Sequence, residues 1–417
     1  MQIGKFYKNV ALIFSGNIAS HLIAILLLPV LTRIFTPDDF GVYQLFMSFC
    51  SVVAIMVTGQ YELSIIAPKY NYVAFTLATA TVFISTAISI VMMSVFTVYI
   101  YIVDGQRGFF QSMYFNGISL WLGLYTLAIC SYQVCYMWFV RQAQYKRTVT
   151  ANVINAIGCV GLPLFIFYIG VDYGLIKGMV IAKILAIGYL CYNAKGVIIK
   201  YYKIINMRCI FRVLRRYNAF VKYALPGNVF NNIAAQVPSF LLNYFYGVTV
   251  TGYYSMANRC ISLPTALAAK SVGDVFKQEA SYNYQQTGDC LSIYSKVSSL
   301  LVKGSIVYAV LVLALAPVVF SVVLGSQWQE AGKYAQLLVL AGATGWVYSP
   351  LSSIYVLTVK VREYMILQII SLSLIVTVFV LSGRFLSVEY TLLLYSLAIS
   401  VVQIAGVIYG RRIAKRT

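Results

Sequence analysis

The chain has 417 residues, of which 61% are hydrophobic and only 10% charged, and its mean hydropathy is +0.81. A water-soluble chain carries about 25% charged residues, so the 31 basic and 11 acidic side chains here cannot coat a solvated surface. That composition excludes a soluble enzyme or a nucleic-acid-binding protein, and the net charge of +20 is read first as membrane topology.

An apolar run of about 20 residues crosses a bilayer as a helix. Six such runs fall at 10–34, 41–66, 73–103, 112–140, 149–169 and 175–199. Six more fall at 223–246, 252–275, 297–322, 334–358, 363–383 and 389–410. They are far longer than barrel strands and do not alternate, so helices are the predicted elements. The first run is too long for the apolar core of a signal peptide and lacks a small-residue cleavage site, so it is expected to stay as a helix. Turn chemistry separates the runs: Thr36-Pro37-Asp38-Asp39, Asp104-Gly105 and Asp172-Tyr173-Gly174. The predicted fold class is an all-α integral membrane protein with twelve transmembrane helices.

Placing alternate loops on opposite sides puts 22 of the 31 basic residues on one side and four, Arg33, Arg107, Lys333 and Arg384, on the other. Both termini are therefore expected in the cytoplasm. The longest connection, 195–222, holds eight of the cations. Within it Arg208, Arg212, Arg215 and Arg216 share one helical face, with Met207, Phe211, Leu214 and Val221 around the rest. This pattern fits a short helix on the anionic leaflet and equally an ordinary basic loop.

Sliding the second half onto the first at an offset of 211 residues aligns Gly16-Asn17 with Gly227-Asn228, Leu31 with Leu242, Gly41 with Gly252 and Tyr43 with Tyr254. The expected organisation is an N-terminal six-helix lobe (1–200), a cytoplasmic linker (201–222) and a C-terminal six-helix lobe (223–417). Two like-oriented halves imply a pseudo-twofold axis along the membrane normal and a central cavity that can open to either side.

Ionisable groups inside spans cost roughly 2.5–3.5 kcal/mol each, so they need a cavity, a partner or a route to the headgroups. Those inside the predicted spans are His21, Glu62, Lys177, Lys183, Arg259, Lys270 and Lys303. Lys177 and Lys303 lie near span ends and can snorkel. Arg259 and Lys270 are eleven residues apart, three turns plus about 20°, which puts them on one face about 16 Å apart. Lys183 is a candidate to join that cationic track, and the alternative for Arg259 is a structural hydrogen bond to backbone carbonyls. The seventh span carries Asn228, Asn231, Asn232, Gln236 and Asn243 within about 140° of arc. Under the 211 offset three of these fall on Asn17, Ser20 and His21, so both helices offer a polar face. Pro29, Pro238 and Pro264 are candidate kinks. Glu62 is the one acid read as lying well inside a span, and it suits either a charge partner or proton or cation coupling. Five interior cations against one acid point to an anionic substrate: a diphosphate would receive charge-assisted hydrogen bonds, and amides and tyrosines suit sugars. The eight cysteines form no C-x-x-C pair and are expected to pack as small apolar residues. The single histidine completes no zinc set, so no metal or other cofactor is expected.

The stretch Leu31-Thr-Arg-Ile-Phe-Thr-Pro-Asp-Asp-Phe-Gly-Val-Tyr-Gln-Leu45 resembles the first-to-second helix turn of the polysaccharide (O-antigen) flippases, in the multidrug/oligosaccharidyl-lipid/polysaccharide exporter superfamily. Gly252-Tyr-Tyr-Ser-Met-Ala-Asn-Arg-Cys-Ile-Ser-Leu-Pro264 is similar to that family's eighth-helix signature. The resemblance implies a flippase that turns undecaprenyl-diphosphate-linked oligosaccharide from the inner to the outer leaflet of a bacterial inner membrane. It implies alternating access with ion or proton coupling, contact with membrane lipids and other polysaccharide assembly proteins, and no nucleic-acid partner. Related lipid II flippases place arginines on the first and eighth helices; Arg259 matches the eighth, while His21 stands nearest in the first. A multidrug cation exporter of the same fold is the alternative, disfavoured by one interior acid against five bases. A membrane polysaccharide polymerase is disfavoured by the short outward loops and the lack of paired carboxylates.

Overall fold

The computed structural model describes residues 23, 26–103, 117–201, 206–218, 221–222, 225–287, 289–358 and 360–415, with the side chains of 99–103, 267–271, 274, 285, 287, 356 and 361 set aside. The described residues are almost wholly helical. By Cα packing the chain divides into a first unit, residues 1–35 and 45–232, and a second, residues 36–44 and 233–417.

The first unit contains α1 (Leu28–Ile34), most of α2 (Pro37–Thr58), then α3 (Tyr61–Ser64), α4 (Asn71–Val103), α5 (Ile118–Arg141), α6 (Tyr145–Tyr168), α7 (Gly174–Tyr201) and α8 (Met207–Arg216). Within it α4 packs on α5, α5 on α7, and α6 on α7. The second unit holds most of α9 (Leu225–Tyr246), then α10 (Val248–Thr287), α11 (Leu291–Val319), α12 (Gln329–Leu351), α13 (Ile354–Leu357), α14 (Val361–Ser382) and α15 (Val388–Ala414). There α11 packs on α12, α12 on α15, and α14 on α15. In span order these are pairs 3–4, 4–6 and 5–6 in one unit and 9–10, 10–12 and 11–12 in the other, so three helix pairs correspond at the 211 offset; in the second unit α10 also packs on α12.

Eight described helices are long and apolar enough to cross a membrane: α2, α4, α5, α6, α7, α11, α14 and α15. Most of the first predicted span lies outside the described residues. The other three predicted spans are the helices α9, α10 and α12, which are long but more polar. α9 carries the Asn/Gln stripe and α10 carries Arg259, polar side chains that lower the mean hydropathy of those helices. Two expectations need correction. The eighth span, expected to end near 275, is part of a helix of 40 residues that runs on to Thr287. Glu62 does not lie in a span: α2 ends at Thr58, and the acid sits in α3 beyond it. Pro238 and Pro264 lie inside helices that continue past them, joined by Pro163, Pro317 and Pro350. Of the cysteines, Cys50, Cys130 and Cys290 are buried, four are half-buried and Cys191 is exposed.

The Thr36-Pro37-Asp38-Asp39 turn starts α2 for identifiable reasons. Thr36 Oγ1 accepts from the Asp39 amide at 3.3 Å and Asp39 Oδ2 accepts from the Thr36 amide at 2.9 Å, a reciprocal capping pair. Pro37 occupies the first helical position, where its missing N–H costs nothing, and both acids lie at the positive end of the helix dipole. Immediately beyond, Gly41 and Gly252 let α2 and α10 touch. A Cβ on Gly41 would strike the Val248 carbonyl oxygen, and one on Gly252 the Pro37 carbonyl oxygen. Thr249 donates to Asp38. Residues 37, 38 and 41 are the equivalents of 248, 249 and 252 at the 211 offset, so the contact is reciprocal, as a local twofold demands.

The arginine-rich segment forms α8, capped by Asn206, whose side chain accepts from the Arg208 amide. Ile210 is buried. Val213 and Tyr217 pack on a cluster with Ile65, Leu77, Trp138 and Leu190. All four arginines stay exposed.

Candidate functional site: a polar cavity in the first unit

The site begins where α2 stops. Gly59 and Gln60 both take the left-handed conformation, at φ +57° and +61°. Glycine does so without strain; a glutamine there must be held by its surroundings. Gln60 is buried, and its Oε1 accepts from Asn228 Nδ2 at 2.7 Å. After these two residues the chain enters α3, which packs on α4 and α5. Ser64 Oγ donates to the Tyr61 carbonyl at 2.6 Å, and the Tyr61 hydroxyl donates to the Leu214 carbonyl on α8 at 3.3 Å. Arg141, a topology signal in the sequence, has a structural task here. Its guanidinium donates to the carbonyls of Ile65 at 3.2 Å and Ile66 at 2.9 Å and to Asn71 Oδ1 at 3.2 Å.

These contacts hold Glu62 in the wall of a cavity of about 470 Å³. The carboxylate is 5% exposed, and its Oε2 has no hydrogen-bond partner among the described residues. Burial pushes the Glu62 carboxyl above its usual range, opposed by hydrogen bonds from its own backbone and from Thr58. Asn228, Asn231 and Asn232 on the first turns of α9 form another wall, with Asn232 Oδ1 accepting from Ser51 at 3.4 Å. A third wall is the face of α5 that presents Tyr132, Gln133 and Tyr136, with Asn152 of α6 beside it. The Tyr132 hydroxyl donates to Asn152 Oδ1, and the Tyr132 and Tyr136 rings stack at 6.3 Å.

Of the residues singled out from the sequence, Glu62, Asn228, Asn231 and Asn232 meet in this cavity. Lys183 does not line it; its ammonium lies 4.5 Å from the Tyr132 ring centroid, a cation–π contact on a lining tyrosine. Gln236 and Arg259 belong to the second unit. Arg259 is half-buried, its guanidinium 6.0 Å from the Tyr43 ring centroid, and none of the ion pairs among the described residues includes it. Asn17 and His21 lie outside the described residues, as does the side chain of Lys270. Lys303 is exposed. Sequence reasoning passed over Gln60, Tyr132, Gln133, Tyr136 and Asn152 because it weighed formal charge inside spans. The signal for three of them was present: 132, 133 and 136 share one helical face.

The sequence matches the family model described as polysaccharide biosynthesis protein over residues 30–333. No curated protein matches the chain. Among solved structures, the chain is similar to the lipid II flippase MurJ in an inward closed conformation, at TM-score 0.76 and 14% identity, covering 96% of this chain and 86% of that one. It is similar to an inward-facing multidrug resistance MATE family transporter of the MOP superfamily, at TM-score 0.71 and 13% identity over 94% of each chain. A third similarity is to a MOP superfamily transporter from Pyrococcus furiosus Vc1 described as having a binding pocket of reverse polarity, at TM-score 0.61 and 12% identity, over 97% and 94%. Likeness at this level of identity shows the fold, and the twelve-helix, two-lobe architecture fits it. The chain belongs to the polysaccharide biosynthesis protein family and has the fold of the MOP superfamily transporters.

Proposed function

We propose that the chain is a flippase for a lipid-linked oligosaccharide. It takes an undecaprenyl-diphosphate-linked repeat unit of a surface polysaccharide, such as O-antigen, from the cytoplasmic to the periplasmic leaflet of a bacterial inner membrane. Membership in a polysaccharide biosynthesis family, on a fold shared with a lipid II flippase, is the observation that carries this reading. The two lobes alternate access to the cargo, with both termini in the cytoplasm. Arg259, Lys183, Lys270 and His21 serve the diphosphate, whose charge-assisted hydrogen bonds offset the cost of cations inside spans. Asn17, Asn228, Asn232 and Gln236 serve the sugars, and Glu62 is the candidate for proton or cation coupling. The exposed arginines of α8 face the anionic headgroups of the cytoplasmic leaflet. A multidrug cation exporter is the competing reading, and the acid at the cavity wall is the feature that favours it.

The test is genetic. Deleting the gene is expected to remove the surface polysaccharide and to leave its lipid-linked unit on the cytoplasmic leaflet. Arg259→Ala is expected to lower surface polysaccharide at least tenfold while the protein remains in the membrane. Normal polysaccharide in Arg259→Ala overturns the role of Arg259; no accumulated lipid-linked glycan in the deletion strain overturns the function.

A further inference from the structure

We infer that the cavity of the first unit is the seat of the glycan, and that Glu62 makes it select an uncharged sugar over an acidic one. The inference rests on the flippase reading for the nature of the cargo and goes beyond it to the class of sugar.

The volume of about 470 Å³ falls among small-molecule sites, about 300–1,000 Å³, and far exceeds what a bare ion fills. Its described lining has amides, tyrosine rings and hydroxyls, a carboxylate, the apolar side chains of Ile55, Leu63 and Met137, and no Lys or Arg. Nothing in that wall could neutralise a carboxylate brought in by a uronic or other acidic sugar. Glu62 would face it instead, and two carboxylates sharing one site repel.

An uncharged sugar finds the opposite. Glu62 Oε2, without a partner among the described residues, accepts a sugar O–H or an acetamido N–H. Gln133 and Asn231, whose side chains have no hydrogen-bond partner among the described residues, supply further donors and acceptors. The stacked Tyr132–Tyr136 pair offers an aromatic surface for the C–H faces of a sugar ring. A site built to hydrogen-bond its ligand discriminates sharply, because the wrong ligand leaves buried polar groups unpaired. Lys183 does not undo this selection, since it meets the Tyr132 ring and lies outside the lining.

The experiment uses the full chain, purified into lipid nanodiscs, with two probes of similar size: chitotriose, which is neutral, and trigalacturonate, which carries three carboxylates. Calorimetric or dialysis binding is expected to favour chitotriose at least tenfold. Glu62→Gln keeps the shape and hydrogen-bonding capacity and removes the charge, so it is expected to narrow the preference to threefold or less by improving trigalacturonate. Asn228→Ala, which frees Gln60, is expected to weaken chitotriose without improving trigalacturonate. The wild-type comparison stands even where a variant fails to fold. Equal binding, a preference for trigalacturonate, no saturable binding of chitotriose, or a ratio unchanged in a folded Glu62→Gln protein overturns the inference. A failure here is distinct from a failure of the flippase reading. Loss of surface polysaccharide on gene deletion, with no sugar preference, keeps the flippase and removes the selectivity. A tenfold chitotriose preference in a chain whose deletion leaves polysaccharide intact does the reverse.

Discussion

A buried carboxylate with one unpaired oxygen is costly, about 1–3 kcal/mol for an unsatisfied polar group and more when it is charged, and Glu62 is such a group. Its cost has a pH signature whose sign follows from linkage. Burial raises the folded-state pKa above the unfolded value, so between the two values the folded chain binds more protons than the unfolded one. Stability therefore falls as pH rises from the unfolded pKa through the folded pKa, and is lowest once Glu62 is ionised. Glu62→Gln removes this loss. The expected outcome is that wild type and variant melt alike at pH 4 and that the variant melts higher at pH 8. Thermal unfolding of both proteins in detergent across that range checks it, and a variant advantage that is the same at every pH would contradict the account. The same residue shows what a linear reading misses. The apolar run 41–66 looks continuous, and only the paired left-handed residues Gly59 and Gln60 reveal that the helix stops at Thr58.

The α6–α7 pair is brought close by small residues. Gly174, Gly178 and Ala182 follow one another at four-residue steps along α7 and meet α6. A Cβ on Gly178 would come within 2.6 Å of the Pro163 ring, and one on Gly158 within 2.9 Å of the Ala182 Cβ. Within a bilayer such close approach provides the dispersion and packing that lipid cannot. Pro163 is rigid and cannot rotate away, so a large side chain at 178 must separate the helices. Gly178→Leu is expected to destabilise the first unit by about 1–3 kcal/mol or more, read as a lower melting temperature. Gly188 lies on the same helix with nothing within 4 Å of its would-be Cβ. Gly188→Leu is therefore expected to leave the melting temperature unchanged or slightly raised, since leucine exceeds glycine in helix propensity by about 0.5–1 kcal/mol. Equal losses from the two substitutions would show that propensity or lipid contact, and not the α6–α7 approach, sets the response.

At the scale of the whole chain, most of the fold is legible in the sequence, because a membrane span is written in the length and composition of one segment. The Asn228–Asn232 wall was legible for the same reason, as a polar stripe on a single helix. The rest of the site was not, since Gln60, Tyr132 and Asn152 are ordinary residues until packing brings three separate elements together. The repeat sits between these cases: an offset of 211 is visible as a few identities, and its physical content emerges only where equivalent residues touch. Gly41 meets Val248 and Gly252 meets Pro37, two contacts that map onto one another at the offset, and Asp38 meets its own equivalent, Thr249. Reciprocity makes a strict prediction. Gly41→Ala and Gly252→Ala both push a methyl group into a backbone carbonyl, which no rotamer change relieves, so each is expected to cost about 1–3 kcal/mol despite alanine's better helix propensity. The two losses should be similar in size, because the two contacts are copies of one another. The double variant should lose less than the sum by about 0.5–3 kcal/mol, because the first methyl already parts the helices that the second would strike. A double-mutant cycle by thermal unfolding in detergent measures both quantities. Strictly additive losses, or an alanine tolerated at one glycine and not at the other, would mean that the two contacts are independent and that the symmetry of the sequence is not a symmetry of this interface.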